Sequence, residues 1–199
     1  MKRQKLSTEV RQEQIVHAAM NLIARQGLKG LSMAAISSRI GLVPSAIYRH
    51  FRSKDDVIEM ILDFIQDRLF SNVERVCKDV SDPIERLQCI LKRHVQLIRD
   101  NKAIPRLLFS EEVFSGNSKR KNKVYGIITG YLKSLEKIVH EGQKRGQIRP
   151  DLRSNTLALM FFGMIQPVVI LWFLSDGRFD ITKHSESNWE VFREAILFR

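Results

Sequence analysis

The sequence of 199 residues predicts an all-α fold, and three observations support this prediction. Glycine and proline are scarce, with ten and five residues. Apolar residues recur at intervals of three and four, as on one face of a helix, and no stretch sustains the strict alternation of a half-buried strand. Capping residues such as Ser32, Ser53 and Asp82 stand just before these apolar repeats. A chain of this length buries about 70% of its unfolded surface, which is enough for a real core.

The segment around Gly41 predicts two short helices joined by a tight turn. Ser32 can cap the first helix, and Gly41 follows it, where a left-handed backbone favours glycine. Pro44 takes the first position of the second helix, which we expect to reach about Phe51 and to bury Ile47 and Phe51. The residues expected to face outward are Ser45, Tyr48, Arg49 and His50. This pattern is typical of a helix-turn-helix, whose second helix enters the DNA major groove, although an ordinary helical hairpin would share it.

Helices are also predicted before and after this pair. The first begins near Ser7 or Thr8 and ends at Gly27. A helix capped by Ser53 continues to about Phe70, and we expect it to link the two halves of the chain. Later helices are expected at about 83–100, 103–114, 119–145, 154–174 and 187–197. We therefore predict a three-helix helix-turn-helix domain over residues 1–54 and a second helical domain over residues 55–199.

Positive charge is concentrated at the start of the chain. Ten of the 33 basic residues and two of the 22 acidic residues lie within residues 1–54, which therefore carry +8 of the net charge of +11. This asymmetry indicates a polyanionic partner, either nucleic acid or an anionic membrane surface. Lys2, Arg3 and Lys5 form a basic arm that is either a solvated tail or a contact to phosphate or the minor groove. A later basic run, read as a solvated face or a second phosphate contact, comprises Lys119, Arg120, Lys121 and Lys123.

Several classes of protein are disfavoured by the sequence. It contains no GxSxG, phosphate-binding glycine loop or HExxH motif, and its five histidines lack metal-ligand spacing, so we expect no enzyme, no metal and no cofactor. Cys77 and Cys89 lack the spacing of a zinc site or a disulfide scaffold. The apolar run 157–174 contains Gly163, Gln166 and Pro167, so we expect a buried helix rather than a membrane span. The N-terminus is polar and basic without an apolar segment, so we expect no signal peptide and a cytoplasmic protein with no membrane partner.

Residues Val10 to Ile61 resemble the DNA-binding domain of TetR/AcrR-type transcriptional repressors. The matching residues are Ile15, Ala18, Ala19, Leu22, Gly27, Leu31-Ser32-Met33, Ile36, Gly41, Ile47-Tyr48, His50-Phe51 and Ser53-Lys54-Asp55. A weaker resemblance continues at Glu141-Gly142-Gln143, Gly146 and Arg149-Pro150-Asp151. Ala34 stands where arginine is frequent in the family, and the segment 43–46 is less polar than in many relatives. These departures bear on the DNA sequence that is recognised rather than on the mode of binding.

The resemblance implies a homodimer that binds palindromic double-stranded operator DNA and is released by a small apolar or amphipathic effector. We expect Ser45, Ala46, Tyr48 and Arg49 to lie at the major groove or the backbone beside it, with Arg49 on guanine or phosphate. Pro44 offers an apolar surface to a thymine methyl group. The residues expected at phosphates are Ser32, His50 and Lys54.

The family likeness also implies a ligand cavity in each subunit and dimerisation through the last two helices. The candidate ligand-binding residues are Phe109, Glu112, Tyr125, Tyr131, Phe161 and Trp172. Glu112, together with Glu111, is either a surface group, paired with Arg106, or a polar anchor in the pocket. The candidate interface residues are Phe162, Ile165, Val169, Trp189, Phe192 and Ile196. The alternative for the whole chain is a basic, peripheral membrane-associated helical protein, which liposome flotation compared with DNA binding would test.

Overall fold

The computed structural model describes residues 7–114 and 118–197, apart from the side chains of Glu112 and Phe114. The basic arm and the candidate pocket side chain of Glu112 therefore lie outside the described residues. The described chain is helical, with one isolated antiparallel bridge between Ile148 and Leu197, which confirms the all-α prediction. Its helices are α1 (Thr8–Gln26), a 3-10 turn (Leu28–Gly30), α2 (Met33–Arg39), α3 (Pro44–Tyr48), α4 (Lys54–Asp79), α5 (Pro83–Asp100), α6 (Ala103–Leu108), α7 (Glu111–Phe114), α8 (Ser118–Lys144), α9 (Ser154–Leu174) and α10 (Ile181–Ile196).

Contacts between residues divide the chain into two compact units. Unit 1 comprises Met1–Ile65 and Asn101–Lys121, and unit 2 comprises Gln66–Asp100 and Asn122–Arg199. Unit 1 includes the segment around α6 because α6 packs against α1. The division by contacts thus differs from the predicted boundary between residues 54 and 55, since α4 continues from one unit into the other.

Unit 1 contains the helix pair predicted around Gly41. The Ser32 hydroxyl caps α2 by accepting a hydrogen bond from the backbone N–H of Ala35 at 3.1 Å, and Gly41 has a φ of 65°. The second helix, α3, ends at Tyr48 instead of Phe51, because the chain turns there: the carbonyl of Ile47 accepts hydrogen bonds from the backbone N–H groups of His50 and Phe51. Ile47 and Phe51 are buried as predicted.

Unit 2 is held at one end by the side chain of Arg86. Its guanidinium donates to the carbonyl of Val80 at 2.6 Å and to the carbonyl of Cys77 at 3.2 Å. It also pairs with Glu141 of α8 at 2.6 Å. One side chain therefore satisfies carbonyl groups at the end of α4 and fixes the start of α5 against α8.

Three further predicted helix boundaries are wrong. Helix α4 ends at Asp79 and not at about Phe70. The last helix begins at Ile181 and not at Ser187, because Asp180 caps it earlier: its carboxylate accepts a hydrogen bond from the backbone N–H of Lys183 at 3.0 Å. The segment predicted as a single helix over 103–114 is divided into α6 and α7. At the break, both the backbone N–H and the hydroxyl of Ser110 donate to the carbonyl of Leu107, which closes a turn instead of continuing the helix.

Candidate nucleic-acid interface and ligand site

The exposed surface of α3 is short, mostly polar and rigidly supported. Pro44, Ser45 and Tyr48 are exposed on α3, and Arg49 is exposed directly after it. Ala46 is only 7% exposed and belongs to the core with Ile47, so its side chain is withdrawn from the expected base contacts. This correction follows from the length of α3, since a helix of five residues has one buried stripe and little more than one open face.

The three expected phosphate contacts differ in how free their side chains are. Ser32 is exposed, and its oxygen serves as the cap of α2. His50 is half-buried, and its Nδ1 is shielded without a hydrogen-bond partner among the described residues. Lys54 is also half-buried and donates from Nζ to the carbonyl of Leu28 at 2.9 Å. An ammonium group has three donors, so this bond positions Lys54 at the start of α4 while leaving capacity for a phosphate.

An ion pair next to Lys54 was not anticipated from the sequence. Arg120, at the start of α8, pairs with Asp55 of α4 at 2.7 Å, and its side chain is 5% exposed while that of Asp55 is 63% exposed. The sequence predicts Arg120, with its basic neighbours, as part of a solvated face or as a phosphate contact, and its burial corrects that prediction. The run of four basic residues at 119–123 did not indicate that one of their side chains is buried.

The interior of unit 2 contains a polar pair between aromatic side chains. Nδ1 of His94 on α5 and the hydroxyl oxygen of Tyr131 on α8 lie 3.1 Å apart and share a hydrogen bond. The ring of Phe162 on α9 lies 6.4 Å from His94 and 6.2 Å from Tyr131, measured between ring centroids. Burial lowers the pKa of His94 to about 4 and raises the pKa of Tyr131. Both groups are therefore neutral at pH 7, as the few polar groups of an apolar ligand site often are.

The candidate ligand residues do not form one cluster. Tyr131, Phe161 and Trp172 are buried in unit 2, whereas Phe109 lies in unit 1 and is exposed. Tyr125 is 69% exposed, so it lines no enclosed cavity in this structure. Phe161 contacts the rings of Trp189 and Phe192 instead of the His94–Tyr131 pair. His94 was not predicted as a ligand-site residue. The available signal was its spacing on α5, which places it on the apolar face of that helix.

The candidate interface residues form the core of the chain itself. Ile165, Val169, Trp189, Phe192 and Ile196 are buried, and Phe162 is half-buried beside His94. Helices α9 and α10 pack against each other, and the rings of Trp189 and Phe192 on α10 contact Phe161 on α9. The large apolar side chains that these two helices leave exposed are Leu159, Met160, Ile170, Leu171 and Leu174 on α9 and Val191 on α10. We call this second set the exposed stripe.

The residues that the structure describes contain no group of three or more His, Cys, Asp or Glu side chains that could hold a metal ion. One helix, α9, is long and apolar enough by length and composition to cross a membrane, with 39% of its most apolar window buried. A single helix of this kind is weak support for a membrane protein, because the core helix of a soluble protein can have the same length and composition.

Two family models match the chain in succession. The model described as "Bacterial regulatory proteins, tetR family" matches residues 15–61, and "YsiA-like protein, C-terminal region", a TetR C-terminal model, matches residues 65–195. The second match alone covers more than half of the chain. The chain belongs to the TetR family. It is a transcriptional regulator, as predicted, and the two TetR-family matches meet within α4.

Relatives of this TetR-family chain align over nearly its whole length. The fatty acid metabolism regulator protein of Bacillus subtilis is 25% identical over 186 residues, which are 92% of this chain and 94% of that protein. The solved structure of FadR from Bacillus subtilis in complex with stearoyl-CoA has a TM-score of 0.77 at 25% identity and covers 92% of this chain and 98% of its own. FadR from Bacillus halodurans has a TM-score of 0.80 at 22% identity, covering 99% and 100%. No enzymatic family is indicated by these matches.

Proposed function

We propose that the chain is a cytoplasmic, homodimeric repressor that binds a palindromic operator and is released by a long-chain acyl effector. The observation that carries this proposal is the surface of α3, where Pro44, Ser45 and Tyr48 are exposed on a helix anchored by the buried Ile47. A helix of this kind, supported by a second helix, presents its side chains to base edges in the major groove. Arg49, directly after α3, can donate to guanine O6 and N7 or to a phosphate.

A second copy of the chain is the expected occupant of the exposed stripe. The exposed apolar residues of α9 are Leu159, Met160, Ile170, Leu171 and Leu174. The exposed Gly163 and Pro167 lie between them and complete the spacings of three and four that place residues on one side of a helix. Gly163 is exposed, and no side chain outside its immediate chain neighbours lies within 4 Å of the place its Cβ would occupy. Such a seam fits a partner helix at close range, and a contiguous apolar patch is uncommon on a monomer. A two-fold dimer would place two copies of α3 on successive half-sites.

The effector is proposed from the relative and from the interior of unit 2. The solved FadR of Bacillus subtilis is in complex with stearoyl-CoA. In this chain, His94 and Tyr131 offer a neutral polar pair that could bond the thioester carbonyl, and Phe162 offers apolar surface to the acyl chain. We therefore place His94 and Phe162 with Tyr131 in the proposed effector site and remove Phe109 and Tyr125 from it.

Release requires that the effector prefer a conformation with low affinity for the operator. Two helices contain residues of both units and so connect them covalently. The first is α4, which begins at Lys54, and the second is α8, whose Arg120 pairs with Asp55. We propose that acyl binding in unit 2 changes α4 or α8 and thereby the placement of α3 on its half-site.

The test is a fluorescence anisotropy titration with a duplex selected from random DNA by the protein itself. We expect a palindromic duplex to bind, and palmitoyl-CoA, but neither coenzyme A nor palmitate alone, to lower its affinity at least tenfold. Tyr131→Phe should weaken this release while leaving DNA affinity without effector unchanged. Failure to select any duplex sequence would contradict the proposal of a sequence-specific regulator. Operator binding that palmitoyl-CoA does not alter would contradict only the proposed effector.

A further inference from the structure

A groove of about 400 Å³ lies between α5 and α10 of unit 2. The end of α5 lies beside the start of α10, where Arg99 donates to the hydroxyl of Thr182 at 3.0 Å. Its apolar lining comes from Leu91, Val95 and Trp189, all of which are buried. Neither His94 nor Tyr131 lines this groove, so it is distinct from the proposed effector site.

Two polar atoms of the groove lining have no hydrogen-bond partner among the described residues. Ser185 is 3% exposed and Trp189 is 2% exposed, and both the Oγ of Ser185 and the Nε1 of Trp189 are shielded from solvent. Buried polar atoms without partners are rare in folded proteins because each one loses its bonds to water without replacement. The indole N–H can only donate, and the hydroxyl can donate as well. Both atoms therefore suit a ligand oxygen that accepts hydrogen bonds.

The two walls of the groove carry opposite charges. Lys92 and Arg99 line the α5 side, and Glu186 and Glu190 line the α10 side. Lys92 and Glu186 are exposed, and the described residues give neither of them an ion pair within 4.0 Å. Glu190 pairs with Arg193 of its own helix at 3.3 Å, a partially exposed contact that contributes little. The charges face a shared space without neutralising each other directly, which favours a ligand with one charge of each sign.

We infer that this groove binds a zwitterionic α-amino acid with a large apolar side chain. Its carboxylate would accept hydrogen bonds from Ser185 and Trp189 near Lys92, and its ammonium group would lie against Glu186 and Glu190. The apolar side chain would cover Leu91, Val95 and the indole ring. A monocarboxylate or a monoamine would satisfy only one wall and leave the other charge pair unmatched. This function goes beyond the proposed response to an acyl effector, because it concerns a separate site and another class of ligand.

The indole N–H of Trp189 provides a direct readout of ligand binding. The chain has two tryptophans, so a proton–nitrogen correlation spectrum contains two indole signals, and Trp172→Phe assigns them. We expect L-phenylalanine to shift the Trp189 signal saturably and downfield, as a new hydrogen bond to Nε1 would. Equal concentrations of 3-phenylpropanoate and 2-phenylethylamine, each lacking one of the two charges, should shift it with at least tenfold weaker affinity. No saturable shift with L-phenylalanine, or equal affinity for either analogue, would overturn the inference.

Variants of the exposed wall residues separate binding from folding. Lys92→Gln and Glu186→Gln should each weaken L-phenylalanine binding about tenfold, because each removes a charged partner of the ligand. The matched controls Lys133→Gln and Glu74→Gln alter exposed charges on α8 and α4, away from the groove, and should leave its affinity unchanged. Unchanged affinity in Lys92→Gln and Glu186→Gln would refute the proposed charge recognition. None of these measurements uses DNA or palmitoyl-CoA, so their result is independent of the proposed repressor function.

Discussion

Protonation of His94 should destabilise the fold in a defined range of pH. Burial lowers the pKa of His94 to about 4 in the folded chain, against 6.5 for an exposed histidine. The unfolded state therefore binds the proton more tightly, and the contribution of His94 to stability is complete above pH 6.5 and is lost as the pH falls toward 4. A difference of this size corresponds to about 3 kcal/mol in the free energy of unfolding. The loss has a slope of at most about 1.4 kcal/mol per pH unit.

The assay is urea unfolding followed by circular dichroism from pH 4 to pH 7.5 at one fixed protein concentration. His94→Asn is the informative variant, because an amide can still bond the Tyr131 hydroxyl but does not titrate in this range. We expect the wild type to lose about 3 kcal/mol more than His94→Asn between pH 6.5 and pH 4. His184→Asn, which alters an exposed histidine, is the control and should follow the wild type. Parallel curves for the wild type and His94→Asn would refute the burial argument, since carboxylates titrate equally in both proteins.

Three further predictions concern assembly and DNA binding. Leu171→Asp should place a carboxylate in the exposed stripe, where an unpaired charge is costly to bury. Analytical ultracentrifugation should then show a dimer dissociation constant raised about tenfold or more. The control Tyr125→Asp, which alters an exposed residue of α8, should leave that constant unchanged. Lys54→Ala should weaken binding to all duplexes similarly and lower the slope of log affinity against log salt concentration by about one. Arg49→Ala should instead reduce the binding free energy by roughly 1–3 kcal/mol at one base position. If Arg49→Ala leaves discrimination among operator variants unchanged, Arg49 does not contact a base. Operator affinity should fall by roughly 10³–10⁵ between 50 and 200 mM salt if the dimer contacts 6–10 phosphates, and a flat salt response would contradict phosphate binding.

Local backbone chemistry was the part of the fold that the sequence could predict. Gly41, Ser32 and Asp82 act through hydrogen bonds or dihedral angles within a few residues. Their roles in turning the chain or capping a helix therefore follow from the residues beside them in the sequence. The same reasoning placed the start of α10 at Ser187, because its capping pattern with Glu190 is complete. Asp180 provides an earlier cap that was overlooked, and the longer helix it starts buries Ile181 and Ser185.

The interface residues were harder to choose from the sequence for a different reason. Residues on all sides of α9 are apolar, so its periodicity could not distinguish the face that packs on α10 from the face that stays open. Phe162 and Ile165 were as plausible as Met160 and Leu171 until the packing partners of α9 were known. Arg120 shows the same limit for charge, because its burial depends on Asp55, which lies 65 residues away in the sequence.

The discontinuity of unit 1 limits how such a regulator can be taken apart or recombined. The unit that contains the helix-turn-helix is completed by residues from outside 1–65, since α6 packs on α1 and Arg120 pairs with Asp55. A fragment that ends at residue 54 or 65 would expose the surface of α1 that α6 covers, and we expect it to unfold or aggregate. For the same reason, a chimera that exchanges operator specificity between relatives would need residues 101–121 together with α2 and α3. Unit 1 comes from two segments that are separated in the sequence, so exchanging a single continuous segment at the N-terminus would separate them.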